Sequence, residues 1–192
     1  MGDIFLEIFF IVIGVLLVLG IFYFNKMVKQ KQNVHEAWSG IDVQLKRRAE
    51  LLPSLVEVVK GYAKHEKDVL QRVTELRSQS TAEKDDDVGA RQGVEEKLSS
   101  SIGKLFAVIE NYPDLKADKN FRELQNSLVE IEDTLQMARR YYNGTVRDMN
   151  ILVQSFPSNV IAGMFKFQSA VFFEIENPLE KIAPKLDMGD SA

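Results

Sequence analysis

Residues 121–156 read FRELQNSLVEIEDTLQMARRYYNGTVRDMNILVQSF, and the spacing of their apolar side chains decides the fold class. Phe121, Leu124, Leu128, Ile131, Leu135, Ala138, Tyr142, Thr145, Met149, Leu152 and Phe156 follow one another in steps of three or four, and only Thr145 is not apolar. That period belongs to a helix packed along its length. Pro157 ends it, because proline cannot continue the ladder of helix hydrogen bonds. Burying each large side chain of such a stripe stabilises by about 1.5–3 kcal/mol, and ordering the residues costs a comparable amount. The helix therefore needs partners carrying matching stripes.

Working outward, the stretch from Trp38 supplies one. Trp38, Ile41, Leu45, Leu52, Leu55, Val59, Tyr62, Val69, Val73 and Leu76 keep the same rhythm, with Arg48 and Glu66 on the seam. Pro53 lies inside it and is expected to bend the helix near Ala49 rather than end it. Ser80 to Asp87 is polar and acidic and marks the first break. Ser80 and Glu83 have capping-box spacing, and Asp85–Asp87 suit a helix amino end. A further helix is expected to about Asn111, with Val94, Leu98, Ile102, Leu105, Ile109 and Tyr112 on one face, and Pro113-Asp114 as the next turn. After Pro157 the segment from Val160 to Ile175 is too apolar for a free tail. It reads as a short fourth helix, with an extended piece, closing the bundle; a contact with the membrane surface or another subunit is the alternative.

The amino end is of a different kind. Ile8 to Phe24 is unbroken apolar or glycine sequence and extends back through Phe5-Leu6 past Glu7. About 20 residues at ~1.5 Å each span a ~30 Å hydrocarbon core. A head carrying Asp3 and Glu7, a long apolar run and no small-x-small site favour an uncleaved anchor over a signal peptide. Lys26, Lys29 and Lys31 follow the run and no Lys or Arg precedes it, so the positive-inside rule puts the amino terminus outside and the bulk of the protein in the cytoplasm. Between Gly20 and Gly40 no helix breaker occurs, so the anchor is expected to run directly into the first bundle helix. The expected divisions are an anchor at 1–25, a helical bundle at 26–177 and a frayed tail at 178–192. The partner implied is the lipid bilayer. A net charge of −4 over 192 residues gives no ground for a nucleic-acid partner, and the absence of cysteine removes disulfides and thiol–metal sites.

Residue patterns that carry chemistry are sparse. His35 and His65 each precede a glutamate, but neither has a second histidine four residues on, as a zincin helix requires. No phosphate loop, serine elbow or nucleotide fingerprint occurs, and the Asp85–Asp87 run has no accompanying ligand cluster. The polar residues that stand out are Asp42, Arg47, Arg48, His65, Glu66, Arg139, Arg140, Asn143 and Arg147. A guanidinium on an apolar seam, as at Arg48, must be paired. Arg139, Asn143 and Arg147 are four apart and share a helix face. These residues read as interhelical contacts that fix register, or as a recognition surface. An enzyme would need Arg48, His65, Glu66 and Arg139 to converge on a cleft. The expectation is no catalytic site, no cofactor and no metal.

Several strings resemble the LemA family: EAWSGIDVQLKRR at Glu36–Arg48, LLPSLV at Leu51–Val56, GYAKHE at Gly61–Glu66, YPDLKA at Tyr112–Ala117, Asn120-Phe121, Leu124-Gln125, ARRYYN at Ala138–Asn143, Val146-Arg147 and Asn150. Phe24-Asn25-Lys26-Met27-Val28 looks like the family's aromatic-Asn motif just after its anchor. Ser54 stands where the family usually has Asn, Met149 where it has an aromatic, and the Phe165 region lacks its Gly-Phe pair. The resemblance implies a single-pass anchor and an up-and-down bundle usually counted as four helices. It implies no enzyme activity and no catalytic residues to carry over. It also implies an association with membrane organisation or stress quality control, through a membrane zinc metalloprotease of the HtpX type in some members and magnetosome formation in one branch.

The expectation is therefore an all-α bacterial protein of the inner membrane: a transmembrane helix followed by an antiparallel up-and-down bundle of three long helices and a short C-terminal fourth. Its expected role is a self-associating scaffold or adaptor, a homo-oligomer with coiled-coil-like packing. The alternative is a regulator or adaptor of a membrane protease.

Overall fold

The computed structural model describes residues 2–82 and 88–174. Six helices occur among them: α1 (Gly2–Tyr62), α2 (Lys67–Ala82), α3 (Val88–Ile109), α4 (Pro113–Ala117), α5 (Lys119–Gln154) and α6 (Ser158–Met164), with no strand. Glu83, Asp85–Asp87, Ile175 and the 178–192 tail lie outside the described residues. The helix α5 covers the stretch quoted first as far as Gln154; Phe156 lies beyond its end and is exposed rather than on the seam. Helix α3 and the short α6 stand where the sequence places them. The anchor run and the first seam are one continuous α1, in which a window long and apolar enough to cross a membrane is wholly exposed.

The chain divides into two compact units. One holds the residues through Gly40 with Arg140–Phe172; the other holds Ile41–Arg139 with the chain from Phe173.

In the first unit α5 and α1 meet through a series of paired residues. The rings of Trp38 and Tyr142 lie 5.4 Å apart. Gln30 Nε2 donates to the Thr145 carbonyl at 2.9 Å. Met27 sits in an apolar cluster with Leu152 and Ala162. Thr145, the one polar residue of the α5 seam, is buried and donates its hydroxyl to the Tyr142 carbonyl at 2.7 Å. The segment after α6 is held by Asn150, whose amide donates to the Ala170 carbonyl at 3.0 Å and accepts from the Ala170 N–H at 2.8 Å. Tyr142 donates its hydroxyl to the Val171 carbonyl at 2.8 Å, and burial pushes that phenol above its usual range.

In the second unit the core is Leu52, Leu55, Val59, Ala63, Leu70, Val73, Leu76, Leu98, Ile102, Leu105, Phe106, Ile109, Leu115, Phe121 and Leu128. Helix α1 passes through Pro53 and ends at Tyr62. Proline has no N–H, so the Ala49 carbonyl lacks its intrahelical donor. Arg77 of α2 supplies one from Nε at 3.0 Å. Arg77→Ala is expected to destabilise the chain by about 1–3 kcal/mol, the cost of an unsatisfied buried acceptor. That cost should shrink in a Pro53→Ala background, where the helix provides its own donor. Chemical denaturation of the four variants checks this, and an Arg77 effect unaltered by Pro53→Ala would refute it.

Three readings of the sequence need correction here. The seam from Leu52 to Leu76 is not one helix: the chain turns at Ala63–Glu66, with Glu66 N–H bonding the Ala63 carbonyl at 3.2 Å and Leu70 N–H bonding the Glu66 carbonyl at 3.2 Å. After the turn Leu70 rather than Val69 is buried. Steps of three and four persist across such a turn because both helices bury residues in the same core, so spacing alone hides it. Second, Ser80 is a buried residue within α2 rather than a cap. Third, Pro113 opens α4 rather than a bare turn, at the helix position where its missing N–H costs nothing. The helices over 15 residues long are thus α1, α2, α3 and α5, four rather than three.

Asp118 caps α5. Its Oδ1 accepts the Phe121 N–H at 2.9 Å and its Oδ2 accepts the Tyr62 hydroxyl at 3.0 Å. The Phe121 N–H and then the Tyr62 hydroxyl hold this carboxyl below its ordinary 3.8. A depressed carboxylate contributes stability above the unfolded-state pKa and loses it as pH falls through the lower folded value. Asp118→Ala is therefore expected to lower the melting temperature at neutral pH and to matter progressively less in acid. Asp118→Asn should keep most of the cap and lose the pH dependence. Equal Asp118→Ala effects at neutral and strongly acid pH would contradict this.

Candidate functional site

Five of the charged residues buried in the second unit, Asp42, Arg48, Arg91, Glu95 and Glu132, form one cluster. Arg48 is fully buried in α1. Its Nη1 donates to Glu132 Oε1 of α5 at 2.8 Å and to Ser99 Oγ of α3 at 3.0 Å, and its Nη2 donates to Glu95 Oε2 of α3 at 2.5 Å. Burial pulls the guanidinium toward deprotonation; Glu132 and Glu95 outweigh that and raise its pKa. Glu95 Oε1 also accepts from Ser80 Oγ of α2 at 2.6 Å and from Arg91 Nε at 3.0 Å. Arg91 in turn lies 3.5 Å from Asp42 Oδ1, and the half-exposed Lys46 lies 2.5 Å from Asp42 Oδ2. All four long helices contribute, so a slip of α1, α3 or α5 breaks a buried ion pair and a slip of α2 breaks the Ser80 hydrogen bond. Arg48 Nε is the one buried side-chain polar atom without a partner among the described residues.

The other residues singled out in the sequence have contacts of their own. Glu66 accepts the Tyr112 hydroxyl at 3.3 Å, and His65 is exposed in the turn between α1 and α2. Arg139 is buried and donates to Gln136 at 2.6 Å. Asn143 is half-buried, while Arg147 is exposed beside Asp148 at 3.4 Å. Arg47 is exposed and reaches Gln44 at 3.4 Å. Arg48, His65, Glu66 and Arg139 thus have separate surroundings instead of a shared cleft. A pocket of about 650 Å³ is an open groove between α2 and α3, with Arg72, Glu96, Lys97 and Ser100 along it. No histidine lines it, so Ser100 has no imidazole base there.

Glu95, Arg91 and Glu132 were not anticipated, although a signal existed. Extending the α3 seam backward from Ile102 and Leu98 by steps of three and four lands on Glu95 and Arg91, rather than on Val94. Glu132 fits equally well between Leu128 and Leu135. Charged residues at core spacing opposite a seam arginine are its natural counterions.

Comparison with known proteins gives the family. The family model described as the LemA family matches residues 37–188. The protein LemA of Metamycoplasma hominis is 28% identical over 176 residues, covering 88% of this chain and 79% of its own length. The magnetosome protein MamQ 2 of Paramagnetospirillum magneticum is 25% identical over 175 residues, and MamQ of Magnetospirillum gryphiswaldense 22% over 174. The chain spans 64% of the length of these two MamQ proteins. With the family model covering most of the sequence and the anchor-like helix in place, the chain belongs to the LemA family.

Proposed function

We infer that this protein is a single-pass, membrane-anchored scaffold or adaptor without catalytic activity, which self-associates and organises membrane protein complexes. The observation that carries this reading is the engagement of the buried charges with one another. Arg48, Arg91, Asp42, Glu95 and Glu132 are spent on holding three helices in register, with α2 joined through Ser80, closed to solvent. An enzyme would turn such groups toward a cleft. The long helices run antiparallel, up and down. Contacts that step down α1 as α5 proceeds support this arrangement, as do the Ala49–Arg77 bond and the tight turn at Ala63–Glu66. Lys26, Lys29 and Lys31 after the apolar run support a cytoplasmic side for the helices beyond the anchor, in the inner membrane.

Self-association draws support from large apolar side chains left on the surface, such as Val43 of α1 and Val129 and Ile151 of α5. The chain has no cysteine, so single-cysteine variants at these three positions give unambiguous crosslinking in native membranes. The expected result is adducts between copies of this chain at one or more of the positions. Monomer alone at all three, with no other membrane protein captured, would overturn the reading. Capture of a membrane protease without self-adducts would favour the protease-adaptor role instead.

A further inference from the structure

The region around α6 leaves a set of large apolar side chains uncovered. Phe156 is 81% exposed, Val160 55%, Met164 72% and Phe165 56%. On α6 the residues divide by face. Ser158 and Ala162 are buried, Ile161 turns toward α1, and Val160 and Met164, four apart, share an outer face. Contiguous exposed apolar side chains of this size mark an interaction surface.

Their position along α1 identifies the partner. A Cβ placed on Gly20 would lie 3.7 Å from Ile161 Cδ1. The Phe24 ring lies 4.7 Å from that of Phe165 and 5.9 Å from that of Phe167. Gly20 and Phe24 are the last turn of the apolar run, so Ile161 stands about 6 Å inside its end at ~1.5 Å per residue. The backbone after α6 holds this arrangement. Lys166 adopts φ 56°, the Phe167 N–H bonds the Ala162 carbonyl at 2.9 Å, and the Lys166 N–H bonds the Gly163 carbonyl at 3.4 Å. This is a Schellman closure with lysine where glycine is usual. It turns the chain so that Phe165 and Phe167 both meet Phe24, and it leaves Lys166, between them, exposed.

The geometry points to a second membrane contact: the segment Phe156–Phe165 lies in the lipid interface beside the anchor, with Phe156, Val160, Met164 and Phe165 among the upper acyl chains and Lys166 at the headgroups. An amphipathic segment with aromatic side chains and a flanking cation suits that depth. This inference rests on the anchor reading, since it is the end of the apolar run that sets the depth. Tethered at two points, the first unit is held at the bilayer instead of swinging on one helix.

The test uses the full chain reconstituted in phosphatidylcholine–phosphatidylglycerol vesicles, with a single cysteine carrying an environment-sensitive dye. Labelled positions are Val160→Cys and Met164→Cys, with Val18→Cys in the anchor and Lys64→Cys in the exposed turn between α1 and α2 as references. The expected result is quenching of the dyes at 160 and 164 by lipids spin-labelled near the headgroup, with protection from aqueous iodide. The Lys64→Cys dye should behave oppositely. Iodide quenching without lipid quenching at 160 and 164, with Val18→Cys still quenched by lipid, would overturn the second contact and leave the anchor standing. Shielding of 160 and 164 from both quenchers would assign the patch to a second copy and likewise overturn it. A Val18→Cys dye unreached by lipid would overturn the anchor and this inference together.

Discussion

Arg48→Met is expected to destabilise the folded protein by about 3–5 kcal/mol, because it leaves buried carboxylates without their counterion. In the native cluster the buried carboxylates are Asp42, Glu95 and Glu132, and the buried guanidiniums are Arg48 and Arg91, an excess of one negative charge with Lys46 approaching from the surface. Removing Arg48 leaves three carboxylates against one guanidinium. Removing Glu132 as well returns the excess to one, since Arg91 still pairs with Glu95 and faces Asp42. The double variant Arg48→Met with Glu132→Leu should therefore recover part of the loss, with an interaction energy of about 0.5–3 kcal/mol in the stabilising direction. Glu132→Leu alone should cost less than Arg48→Met, because Arg48 keeps Glu95 and Ser99. Urea denaturation of the full chain in detergent, run as a double-mutant cycle, measures all three. Strict additivity would mean the charges are not coupled as their distances indicate.

The second large effect is expected from the apolar core. Phe121 follows the Asp118 cap by three residues, is buried at the start of α5, and packs with its ring 6.4 Å from that of Phe106. Phe121→Ala should cost about 3–5 kcal/mol, from lost transfer energy and the cavity left behind. Phe156→Ala removes the same side chain from an exposed position and should fall within about 0.5 kcal/mol of the parent in detergent. Denaturation midpoints of the two variants give the comparison. Equal losses would show that Phe156 is covered by protein after all.

These two effects mark how far the sequence could be read. The α5 stripe from Phe121 onward was legible because a long helix with one buried face repeats its pattern many times. Arg48 was legible because a guanidinium on that pattern has few alternatives to pairing. Its partners were less visible. Glu95 and Glu132 each neighbour an apolar residue, Val94 and Ile131, that fits the seam almost as well, and a helix face is too broad for spacing alone to choose. The turn at Ala63–Glu66 was hidden for a related reason, since α1 and α2 bury their residues in one core at one rhythm. Pro113-Asp114 reads as a turn because proline is excluded from helix interiors, yet at a first turn of a helix proline is favoured. The approach of Ile161 to Gly20 depends on where the chain returns after Pro157, which no local pattern encodes.

The membrane role proposed for this chain depends on Ile8–Phe24 crossing the bilayer, and its cytoplasmic site of action on the helices beyond the run lying in the cytoplasm. Labelling with a membrane-impermeant maleimide tests that in the cysteine-free background. Asp3→Cys and Lys64→Cys are both exposed positions on opposite sides of the run. In intact cells stripped of their outer barrier, Asp3→Cys should react and Lys64→Cys should react only after lysis. Reaction of Lys64→Cys before lysis would contradict the topology.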